Sequence, residues 1–203
     1  MADNIPFSGE QRSREEDFFH KRERELIEKM RSQEQAEGGL RQLAGVTGIV
    51  DDALLRDLQG RGVDAQTAKL LDFAPLVLVA WSDGSITPQE RKEILLVARV
   101  YGIDEGVPGY GQLAGWLEAR PSDDFFQLML RALRAAMDAL SPEEREMRVR
   151  ELLSRSVDVA KVSGGFLGVG SKISAAERLT IREMAERLGC AEEAVQAIEK
   201  GRL

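Results

Sequence analysis

Three short boxes fix helix starts in this chain before composition is considered. Thr87-Pro88-Gln89-Glu90, Ser141-Pro142-Glu143-Glu144 and Ser174-Ala175-Ala176-Glu177 each place a hydroxyl three residues ahead of a glutamate, just before an apolar-periodic run. In such a capping box the hydroxyl accepts the N–H of the glutamate, and the carboxylate reaches back to the N–H of the first residue. Two amide groups that a helix start would otherwise orphan are thereby satisfied. Two of the boxes put proline at the first helical position, where its missing N–H costs nothing. Alternating β-branched runs are nearly absent, and Ala, Leu, Glu and Arg dominate. The chain reads as all-α.

Two of the boxes belong to a longer repeat. "VAWSDGSITPQERKEILLVARVYG" and "VAKVSGGFLGVGSKISAAERLTIREMAERLG" pair Val79-Ala80 with Val159-Ala160 and Gly84 with Gly164. Ile86 then pairs with Ile173, Glu90 with Glu177, and Gly102 with Gly189. The second copy is longer by an inserted loop. The spacing predicts a helical bundle of two pseudo-symmetric helix-turn-helix units. Between them lies "DDFFQLMLRALRAAMDALS", capped by Ser122. Its polar positions Gln127, Arg131, Arg134 and Asp138 form one stripe on an otherwise apolar helix, as expected at the centre of a bundle.

The remaining elements follow from local signals. Residues 9–37 form a charged helix with few apolar positions: Phe18, Phe19, Leu26, Ile27 and Met30. Phe19, Leu26 and Met30 share a narrow stripe, too narrow to enter a core deeply. Gly38-Gly39 is expected to end this arm, dividing the chain into an arm over 1–39 and a helical domain over 40–203. A short helical pair is expected from Leu40 to Gly60, with Asp51 as an N-cap. A helix opened by Asp64 is expected to be kinked or split by Pro75. Then come a helix from Thr87 to Gly102, the glycine-rich connection "GIDEGVPGYGQ", a helix from Ser141 to about Ser163, one from Ser174 to Gly189 and a short one from Glu192. Trp81 and Trp116 are expected in the core.

Composition removes several functional classes. Among 203 residues the net charge is −7, which argues against a general nucleic-acid binder. A single cysteine, Cys190, excludes an internal disulfide and a cysteine-rich zinc site. A single histidine, His20, excludes a histidine-pair metal site and most histidine-based triads. The N-terminal "MADNIPFSGEQRSREE" lacks an apolar signal core, and the longest apolar run, Pro75 to Trp81, is too short to span a bilayer. A cytoplasmic chain without a membrane span is expected.

"AWSDGSITPQER" resembles the second half of a calcium loop. With Asp83 at position 5, Gly84, Ser85, Thr87 and Glu90 fall at positions 6, 7, 9 and 12. Positions 1 and 3 then become Val79 and Trp81, which cannot ligate, so an EF-hand is excluded. A turn accounts for the same residues: Gly84 supplies positive φ, Thr87 caps, Glu90 closes the box, and Ile86 is placed for a hydrophobic staple. Asp83 reads as an Asp-Gly turn residue or as a weak divalent-cation or partner contact. "GFLGVGSK" is not a phosphate loop, because Ser171-Lys172 reverses the needed order and a helix precedes it. Phe166, Leu167 and Val169 are expected to tuck beneath that loop. No nucleophile or acid–base constellation can be singled out, so a non-enzymatic protein is expected.

"AWSDGSITPQERKEILLVARVYGI" and "SGGFLGVGSKISAAERLTIREMAERLG" resemble the TerB-like family, named for a tellurite-resistance protein, over roughly Leu70 to Gly189. The resemblance implies an all-α bundle of two pseudo-symmetric halves and a role in stress response or in membrane-linked or signalling complexes. It also links the acidic residues of the Asp-Gly turns to a divalent cation, here Asp83 and Glu90. Ser163 stands where the second aspartate would be, so a symmetric pair of sites is not expected. Separately, "EDFFHKRERELIEKMR" is similar to the helical inhibitor of the mitochondrial ATP synthase, which implies a helix that docks on a larger machine. The expectation is therefore an interaction or stress-response module that binds a protein partner through Phe18, Phe19, Leu26 and Met30. Two alternatives stand beside it: a metal-binding protein using the Asp83 turn, and a helix-mediated regulator of an ATPase.

Overall fold

The computed structural model describes residues 9–163 and 173–190, with side chains for 18–161 and 173–190. Among these residues there are eight α-helices, one 3-10 helix and no strand. The α-helices are α1 Gly9–Thr47, α2 Asp52–Gly60, α3 Ala74–Ala80, α4 Pro88–Val100, α5 Tyr110–Glu118, α6 Asp123–Asp138, α7 Pro142–Ser163 and α8 Ala175–Leu188; the 3-10 helix covers Ala68–Phe73. The all-α expectation holds. The loop from Gly164 to Lys172, with Phe166, Leu167 and Val169, and the short helix expected from Glu192 lie outside the described residues. The chain divides into two compact units, Met1–Arg41 and Gln42–Leu203.

The first unit contributes the greater part of α1. Gly38-Gly39 does not end this helix, which runs on to Thr47. Glycine inside a helix costs only about 1 kcal/mol relative to alanine, so a pair of glycines weakens a helix without stopping it. The terminator is Gly48, at φ +73°. Its N–H donates to Ala44 O at 2.8 Å, and a Cβ there would lie 2.9 Å from the Ala139 Cβ. The segment read as the first helix of a pair is thus the last turns of α1.

In the second unit the expected caps form. The Asp51 carboxylate accepts from Ala53 N and Leu54 N at the start of α2, and the Ser122 hydroxyl accepts from Phe125 N at the start of α6. Ser141 and Glu144 close their box reciprocally, with Ser141 N–H donating to Glu144 Oε2 at 3.0 Å and Glu144 N–H to Ser141 Oγ at 3.3 Å. Asp64 opens a turn rather than a helix; the chain is 3-10 over Ala68–Phe73 and becomes α-helical at Ala74, one residue before Pro75. Ala74 before it is already α-helical, so Pro75 sits in the first turn of α3, where its missing N–H costs no intrahelical bond.

The core is built on α3 and α6. Six of the seven residues of α3 are buried, which fits a helix apolar all round. Burying side chains such as Leu76 and Val77 stabilises the fold by roughly 1.5–3 kcal/mol each. α6 buries Phe125, Phe126, Leu128, Met129, Leu130, Ala132, Leu133 and Met137 while Gln127, Arg131 and Asp138 remain exposed. α7 packs on α3, α4, α6 and α8, and α8 packs on α3, α6 and α7. α5 was not legible in the glycine-rich connection. It is held by buried Leu113 and Leu117 and by the Trp116 ring, 5.0 Å from Phe125. Neither tryptophan is fully buried, contrary to the core expectation. Trp81 donates its indole N–H to Trp116 O at 2.8 Å, and its polar edge keeps it at the periphery.

Candidate functional site

The starts of α4 and α8 carry the singled-out residues of the repeat. At α4 the Thr87 N–H and hydroxyl both donate to Glu90 Oε2 at 2.7 Å, and the Glu90 N–H donates to Thr87 Oγ1 at 3.2 Å. At α8 the Ser174 N–H donates to Glu177 Oε2 at 2.6 Å and the Glu177 N–H to Ser174 Oγ at 3.1 Å. Both glutamates are buried, at 1% and 2% exposure. Carboxylates are seldom buried this deeply, and the cap hydrogen bonds compensate part of the hydration they lose. The residues after Glu90 and Glu177 are Arg91 and Arg178, so a staple from Ile86 or Ile173 has no apolar partner at that position.

Tertiary packing brings the two boxes near one another. Burial raises the Glu90 carboxyl above its ordinary pKa; the hydrogen bonds from Thr87 oppose this, and the charges of Asp83 and Glu177 add to the rise. The sequence aligned Glu90 with Glu177 as equivalents, but nothing in it signalled that the Glu177 charge bears on Glu90.

Asp83 is exposed, and its Oδ1 accepts from Ser85 N at 3.1 Å. With Gly84 at φ +95° this is the Asp-Gly turn that leads from α3 to α4. The carboxylates of the resemblance are therefore both engaged in local hydrogen bonds. Among the described residues no group of three or more His, Cys, Asp or Glu is placed to hold a metal ion. The donor set for a cation at Asp83 and Glu90 is incomplete in these residues, and a cation there would compete with the cap and the turn for the same oxygens.

The arm residues stand apart from this site. Phe18, Phe19, Leu26 and Met30 are 58%, 67%, 58% and 62% exposed. The Phe18 and Phe19 rings meet edge to face at 6.2 Å, and the Arg22 guanidinium lies 5.8 Å from the Phe18 ring centre. Among the described residues no helix is long and apolar enough to cross a membrane. Neither protein-family models nor curated proteins nor solved structures give a match to this chain.

Proposed function

We propose that this protein is a non-enzymatic, TerB-like interaction or stress-response module of the cytoplasm, whose N-terminal helix docks on a protein partner. The observation that carries the reading is the exposure of Phe18, Phe19, Leu26 and Met30 on a single helix. Two phenylalanines and a methionine left in water along one helix form the pattern that a groove on another protein takes up. Burying them would stabilise a complex by roughly 1.5–3 kcal/mol per side chain. The buried caps at Glu90 and Glu177 serve the fold of the second unit, and the resemblance to the TerB-like family supports reading that unit as a duplicated scaffold. Replacing all four arm residues by serine in the full-length chain tests the proposal. The substitutions leave the thermal unfolding of the body unchanged and remove co-purifying partners; if every partner is kept, the arm does not dock. Should the partner prove to be an ATPase, its hydrolysis rate measured with and without the arm decides whether docking regulates it.

A second reading is a divalent-cation contact at the Asp83 turn, supported by the proximity of the Asp83, Glu90 and Glu177 charges. Calorimetry with Ca²⁺, Zn²⁺ and Mn²⁺ on the wild type and on Asp83→Ala tests it. Binding heat that vanishes in the variant supports a cation there; no heat in either protein removes it.

A further inference from the structure

We draw no further inference here: the strongest candidate, the largely apolar groove between α7 and the end of α8 that Leu140, Pro142, Val149 and Gly189 line, carries nothing, because nothing among the described residues shows what covers it.

Discussion

The starts of α4 and α8 carry the same local chemistry in different surroundings. Each has a hydroxyl N-cap, a reciprocal glutamate and a buried carboxylate, and each helix buries an isoleucine and an alanine at matching places, Ile94 and Ala98 in α4, Ile181 and Ala185 in α8. They differ in what leads in and what closes the far end. α4 follows a tight turn whose Asp83 bears on the Glu90 charge. It ends at Gly102, where a Cβ would have nothing closer than the Lys69 Nζ at 3.9 Å. α8 ends at Gly189, where a Cβ would lie 2.7 Å from the Arg134 Nη1 and 3.3 Å from the Arg145 Nη2. A cap is a local device that a helix carries wherever it goes. The cost of holding its carboxylate is set by what packs around it.

The matched pairs allow that comparison to be broken. The largest effect is expected where the two helices are alike. Ile94→Ala and Ile181→Ala, at 0% and 1% exposure, should each lower unfolding free energy by about 3 kcal/mol in urea titrations, within the range of such core truncations. A loss at one position but not the other would show that the two helices do not share a core role. Glu90→Ala should lower stability by about 1–2 kcal/mol, because the Thr87 N–H loses its acceptor.

The helix ends separate the two units next. Gly102→Ala and Gly189→Ala each force a left-handed backbone on alanine, about 1 kcal/mol or more. Gly189→Ala must also displace the Arg134 tip from its 3.1 Å hydrogen bond to Arg187 O. It should therefore be the worse of the two in thermal unfolding, and equal losses would remove the distinction.

Glu90→Gln isolates the charge, since a glutamine can still serve a capping box. The Glu90 pKa is raised by folding, so folding favours its protonated form. Its contribution is fully present below the unfolded glutamate pKa, about 4.3, and is lost as pH rises through the folded value. The wild type should therefore lose stability relative to Glu90→Gln between pH 4 and neutrality, measured by urea unfolding at each pH. A constant difference would mean that the carboxylate is not destabilised by its neighbours. Asp83→Ala should have the smallest effect, below about 0.5 kcal/mol for an exposed side chain, and should reduce the pH dependence attributed to Glu90.

Much of this was legible from local pattern. Ser122, Thr87, Ser141 and Ser174 all cap where the sequence placed them, because capping chemistry is decided within four residues. The end of α1 was misjudged because Gly38-Gly39 carries a weak local penalty, whereas Gly48 is held by a close approach to Ala139 that no nearby residue announces. α5 was missed for the complementary reason: "YGQLAGWLE" contains two glycines, and its helix is held by Leu113 and Leu117 in the core.

The sequence by itself determined the helical class, the helix starts and the paired boxes, since hydrogen bonds between near neighbours and the helical period are local properties. It also determined that Phe18, Phe19, Leu26 and Met30 are too sparse a stripe for a core. Only the tertiary structure decided that the Glu177 charge bears on the buried Glu90 carboxyl. Those groups are far apart along the chain. Their proximity comes from the packing of α4 and α8 against α3 and α7, and burial, not residue type, turns a carboxylate into a group that needs a partner.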